Sequence, residues 1–228
     1  MIYVTSDWRG IELKEVKSLF KKAKFNDSDF CFVLGNVIDY GENGVELIKW
    51  LMEQYNIELI LGAQESLLLK NEALFTSAAP EMTAEQMETL KKWNSLGGMP
   101  TLTALKKEKA DTVEYIFEYL SDAPLFETVN AGGRDFILTH SGLGGFLKGK
   151  KLSEYSEEEL LWNTPKLEDR YFEEATAVFG HTPTFEFGSE YDGKILHTDT
   201  WIDVNIGVNE GYEPVLLRLD DMKEFYSD

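Results

Sequence analysis

The residues of this chain best suited to chemistry fall in five short segments: Ser6-Asp7-Trp8-Arg9-Gly10, Gly35-Asn36-Val37-Ile38-Asp39-Tyr40-Gly41, Gly62-Ala63-Gln64-Glu65, Thr139-His140-Ser141-Gly142-Leu143 and Phe179-Gly180-His181-Thr182-Pro183. They carry the carboxylates of Asp7 and Asp39, the guanidinium of Arg9, the amides of Asn36 and Gln64, and His140 and His181, two of only three histidines in the sequence. Carboxylates and imidazoles are the side chains that bind metal ions and move protons, whereas an arginine pairs with anions. Residue type alone leaves a plainer alternative open, in which the aspartates cap backbone amides and the histidines are hydrogen-bonded structural groups. Position argues for a site: four of the five segments directly follow a strand-like run, and the loops at the carboxyl ends of strands are where open α/β sheets gather ligands.

The elements that must position these groups are legible as apolar runs. Ile2 to Val4, Phe30 to Leu34, Leu59 to Leu61, Phe136 to Thr139, Ala177 to Phe179, Ile195 to Leu196, Ile202 to Val204 and Val215 to Leu219 read as strands. The early ones alternate with helical patterns, in which Leu13, Val16, Leu19 and Phe20 share one face and Val45, Ile48, Leu51 and Met52 another. Strand-helix repeats predict a sheet with helical cover. The later strands come closer together, which predicts a second, more antiparallel sheet and a sandwich. Residues from about 66 to 125 read as a helical insertion, with Ala84 to Trp93 and Thr112 to Leu120 as its clearest helices. The acidic run from Ser153 to Leu160 reads as a capped, solvated helix start.

In order along the chain, the five segments resemble the GDxHG, GDxxDRG, GNHE, HAGL and GHTP motifs of the PPP-type, calcineurin-like metallophosphatases, above all the small bacterial and phage serine/threonine phosphatases and their diadenosine-tetraphosphatase relatives. The resemblance implies an α/β fold, a β-sandwich of two mixed sheets flanked by helices. It also implies a centre of two divalent cations about 3.5–4 Å apart that activate a water and neutralise phosphoryl oxygens. Carried over position by position, it leaves Asp7, His140 and His181 as surviving metal ligands and Arg9, Asn36 and Ala63 as lost ones.

Arg9 stands where the family has a histidine, and a guanidinium cannot ligate a metal. Asn36 stands for the aspartate that bridges both cations, and its neutral amide lacks the charge and lone pairs to do so. Gln64 replaces the histidine that protonates the leaving group and has no accessible pKa for that work. Tyr40 and Thr164, the latter in Leu161-Trp162-Asn163-Thr164, stand where the family has phosphate-binding arginines, so the bidentate clamps are gone. Asp39 survives without the histidine it would orient. Trp93-Asn94, Gly97-Gly98 and Thr101 resemble a W-x-x-N-G-G-x-x-T stretch of the family, and His197, in the segment that closes the family's site, is expected at the site wall. Arg9, two residues beyond Asp7, is expected either to pair with Asp7 or Asp39 and supply the charge that metals would, or to point into solvent.

Length and composition set the remaining bounds. At 228 residues, without a Pro/Ser/Gly-rich linker, the chain is expected to be one domain spanning residues 1–228. No long apolar run and no secretory signal are present, so a cytoplasmic protein without membrane contact is expected. The one cysteine, Cys31, lies in an apolar run and is expected to be a buried, inert thiol. A net charge of -19 argues against direct binding to nucleic-acid phosphates, which needs clustered Lys and Arg.

These observations predict a pseudophosphatase that binds a protein or a phosphorylated ligand and carries no cofactor. Two other readings remain: a residual phosphoesterase using one Mn or Zn ion on Asp7, His140 and His181, and an acidic antagonist that docks on a basic nucleic-acid-binding protein.

Overall fold

The computed structural model describes residues 1–76 and 82–227, so residues 77–81 of the expected insertion lie outside the described residues. The chain runs β1 (Ile2–Thr5), α1 (Leu13–Ala23), β2 (Phe30–Val33), α2 (Gly44–Met52), β3 (Ile57–Leu59), α3 (Ala63–Lys70), α4 (Ala73–Thr76), α5 (Ala84–Ser95), α6 (Met99–Leu105) and α7 (Ala110–Asp122). It continues with β4 (Phe126–Ala131), β5 (Arg134–Thr139), α8 (Glu157–Leu161), β6 (Ala175–Phe179), β7 (Leu196–His197), β8 (Trp201–Asp203), β9 (Val215–Arg218) and β10 (Lys223–Tyr226).

Two mixed five-stranded sheets result, in the orders β10-β9-β1-β2-β3 and β4-β5-β6-β8-β7. The central strands of each, β1-β2-β3 and β5-β6-β8, run parallel, and the outer pairings are antiparallel. Period-two alternation sends Val4, Phe32 and Leu217 between the sheets, where they meet Phe136, Leu138, Val178 and Ile202. The alternate residues Tyr3, Cys31 and Val33 face outward and are covered by Val16, Leu19 and Phe20 of α1 and by Ile48 and Leu51 of α2. Cys31 is fully buried, and burial pushes its thiol pKa well above the ordinary value.

Several features differ from the sequence expectation: the second sheet is no more antiparallel than the first, and β3 covers Ile57–Leu59 where Leu59 to Leu61 was expected. β4 carries no strand-like run, because Glu127, Thr128 and Asn130 interrupt its apolar residues; it forms by pairing along its whole length with β5 across the Gly132-Gly133 turn, where both glycines have positive φ. β10 likewise carries no strand-like run, as Lys223 and Glu224 dilute it, and its pairing with β9 defines it. In the acidic run the helix cap is Ser156, which exchanges bonds with Glu159, while Ser153 lies in a preceding 3-10 turn; α8 then turns Leu160 and Leu161 into the interior. The insertion's helices α5 and α7 run slightly longer than expected, and α5 starts at a capping box of Thr83 and Gln86.

Candidate functional site

The five segments converge at the carboxyl ends of the parallel strands. The loops after β1 and β2 are zipped together by backbone bonds from Asp7 N to Gly35 O (2.9 Å), Arg9 N to Asn36 O (3.0 Å) and Gly10 N to Val37 O (2.8 Å). Gly10 and Gly41 make that approach possible, since a Cβ on either would lie 2.5 or 2.2 Å from the other's carbonyl oxygen. Asp7, Arg9, Asn36, Asp39, Tyr40 and His181 all have positive φ without being glycine. Such strain gathers where side chains are aimed at a site.

Arg9 occupies the centre of the cluster. Its Nη2 lies 2.9 Å from Asp7 Oδ1, with Asp7 almost wholly buried and Arg9 nearly so. With the Gln64 amide assigned the orientation that matches donors to acceptors, Arg9 Nη1 donates to Gln64 Oε1 at 3.2 Å and Gln64 Nε2 donates to Asp39 Oδ2 at 2.7 Å. The guanidinium also lies over the Tyr40 ring, 5.2 Å from its centroid. Asn36 is locked on both sides: its Nδ2 donates to Asp7 Oδ1 at 2.8 Å and its Oδ1 accepts from Gln64 N at 2.9 Å. Asp7 Oδ2 accepts from His181 N at 2.9 Å. Burial alone would raise the Asp7 pKa, but the Arg9 guanidinium leads a set of groups that hold it below the usual carboxylate value.

The two histidines are committed to each other. His140 Nδ1 lies 2.6 Å from the Leu34 carbonyl, which can only accept, so Nδ1 carries the proton and Nε2 is an acceptor. Nε2 then accepts from His181 Nδ1 at 3.1 Å. Burial lowers the pKa of each imidazole and so favours the neutral ring, the pKa of His181 falling to about 3 with the neighbouring His140 and Arg9 adding to the effect there.

The other expected residues take no part in these side-chain bonds. Ala63 is buried at the start of α3 and offers no donor or acceptor side chain. Thr164 is exposed and accepts from Thr182 Oγ1 at 3.2 Å. His197, expected at the site wall, is exposed and bonds to Glu224 at 2.7 Å across β7 and β10. Two groups that sequence reasoning gave no role hold the site in place. Buried Glu65 accepts from the backbone N–H groups of Asn36, Val37 and Ile38 at 2.8, 2.8 and 3.2 Å, and Asn205 Nδ2 donates to His181 O at 3.0 Å. Asp203 is fully buried, and burial pushes its pKa well above the ordinary carboxylate value.

A pair of divalent cations needs converging ligands with free lone pairs. Here Asp7 Oδ1 already receives Asn36 and Arg9, its Oδ2 receives His181 N, and His140 spends both ring nitrogens within the protein. A fixed cation at Asp7 also repels a second one. Among the described residues no group of three or more His, Cys, Asp or Glu side chains is arranged to hold a metal ion. The residues present do not fit the metal pair that the family resemblance implies.

Asp39 yields a pH prediction. Burial pushes its pKa up to about 7, against the hydrogen bonds from Thr101 and Trp93 that pull it down. The unfolded value is about 3.9, so between the two the native state keeps a proton that the unfolded chain has released. This group's contribution to stability is therefore full below about pH 4 and is lost as pH rises toward 7. Urea unfolding of the wild type minus that of Asp39→Asn is expected to show this fall across that window. Parallel curves for the two proteins would refute it.

No protein-family profile and no curated protein matches the sequence. Solved structures do match in shape. A protein described as a "putative diadenosine tetraphosphatase" superposes with TM-score 0.65 at 13% identity over 98% of this chain and 90% of its own. A protein serine/threonine phosphatase from Saccharomyces cerevisiae gives 0.61 at 15% identity over 100% and 80%. A metallophosphoesterase from Sphaerobacter thermophilus gives 0.54 at 11% identity over 99% and 86%. With strand order, loop convergence and chain-long superposition in agreement, this chain has the calcineurin-like metallophosphatase fold.

Proposed function

We propose that this chain is a pseudophosphatase, a metallophosphatase-fold protein that works by binding and has lost phosphoester hydrolysis. The observation that carries this reading is the buried Arg9–Asp7 ion pair, which commits a surviving ligand position to a guanidinium. Gln64 and Asn36 complete the argument, since their amides are spent on neighbours and neither can donate a proton to a leaving group. The proposed partner is a protein with a basic surface, because a chain of net charge -19 attracts cationic surfaces and repels nucleic-acid phosphates.

Dialysis against Mn²⁺ followed by elemental analysis is expected to return less than a full pair of ions per chain. Turnover of an aryl phosphate is expected at background, since loss of the general acid alone costs about 10²–10⁴-fold. Gln64→His by itself should leave that background unchanged, because it restores the acid without the cations. One weakly held Mn or Zn ion without turnover agrees with the proposal. Metal-dependent hydrolysis that disappears in His140→Ala would overturn it and identify a working phosphoesterase.

A further inference from the structure

Asp39 has no histidine to orient, and besides the bond from Gln64 its carboxylate bonds lead into the helical insertion. Oδ2 accepts from Trp93 Nε1 of α5 at 2.7 Å, and Oδ1 accepts from Thr101 Oγ1 of α6 at 2.6 Å. The Asp39 backbone N–H donates to the same Thr101 oxygen at 3.0 Å, so one hydroxyl is held from two sides. The next residue continues the contact: Tyr40 N donates to Gly97 O at 3.0 Å, and a Cβ on Gly97 would meet the Tyr40 ring at 3.0 Å. On the opposite wall Lys92 Nζ of α5 lies 4.2 Å from the centroid of the Trp162 ring, which meets the His181 ring edge-on at 5.9 Å. The insertion thus reaches Tyr40, which lies against Arg9, and Trp162, which packs on His181.

We infer that α5 and α6 form a lid over the remnant site and that Asp39 is the positioning residue that latches it, through Trp93 and Thr101. A buried carboxylate needs its donors, and here two of them come from the lid. Opening the lid strips Asp39 of two of its donors and leaves it the Gln64 amide alone unless water enters, so the closed state is favoured while the latch is intact. The backbone bonds that zip the loops after β1 and β2 do not involve the lid, so the latch can fail while the sandwich stays folded. This inference goes beyond the binding proposal and does not depend on it, since a lid over this cluster serves a binding protein and an enzyme alike.

The test is amide hydrogen exchange together with carbethoxylation of histidines, read by mass spectrometry. In Thr101→Val, which keeps shape and removes the hydroxyl, exchange across residues 84–105 should rise about tenfold or more while β1 and β2 keep their protection. Modification of His181 should rise in parallel, with the exposed His197 as the internal reference. Thr101→Ser restores the hydroxyl and should restore both readouts. Trp93→Phe removes the other bond and should act in the same direction if Thr101→Val fails to fold. Unchanged exchange and His181 reactivity in both variants would overturn the inference. Equal acceleration in β1 and β2 would overturn it too, because Asp39 would then support the sandwich as a whole.

Discussion

Arg9→Ala is expected to destabilise the protein by about 3–5 kcal/mol, the usual cost of breaking a buried ion pair from one side. The cause is local. Asp7 is fully buried, and without the guanidinium its carboxylate keeps only the Asn36 amide and the His181 backbone N–H. Gln64 loses its partner in the same step, so the link from Arg9 to Asp39 is cut. Combining Arg9→Ala with Asp7→Asn should recover part of the loss, since the second change removes the charge that made the first costly. Arg9→Lys should fall in between, because an ammonium keeps the charge but lacks the planar fork that bonds Asp7 and Gln64 together. Urea denaturation of the four proteins of the cycle measures the coupling. A double variant that is merely additive would show that the pair is incidental to the fold.

The parts of this molecule that could be read from its sequence are those in which a local pattern carries the physics. Strand-like runs such as Phe30 to Leu34 announce themselves by burial, and the polar segments after them had to lie at strand ends. Arg9, two residues from Asp7 on one loop, could reach Asp7, Asp39 or solvent, and of these it pairs with Asp7. What stayed hidden depends on contacts between distant positions. Trp93 and Thr101 stood out in the sequence as a family-like stretch, yet their bonds to Asp39 span 54 and 62 residues and follow only from the way α5 and α6 fold back. Strands β4 and β10 were illegible because pairing, not apolar content, makes them strands. His197 was placed by resemblance, and its bond to Glu224 depends on how β7 and β10 come together across the two sheets.

Glu65 is the extreme case of a hidden role, and it supports the second large prediction. Its partners are backbone N–H groups, which leave no mark on a sequence, yet it holds three consecutive amides of the loop that carries Asn36 and leads to Asp39. Glu65→Ala would leave those donors buried and unpaired. At about 1–3 kcal/mol for each such group, the loss is expected to be on the order of 3–6 kcal/mol, a large share of a domain's total stability. It falls short of a simple sum because burial disfavours the Glu65 carboxylate to begin with and raises its pKa, so removing it relieves some cost. Glu65→Gln should lose less, since its oxygen still accepts while its NH₂ group is forced against a donor. The loss should be confined at first to one place. In Glu65→Gln, amide exchange at Asn36, Val37 and Ile38 should speed up before that of β5 or β6, because those strands lie in the other sheet. A Glu65→Ala protein as stable as the wild type would sink this account and assign the loop's shape to its backbone bonds from Arg9 and Gly10 alone.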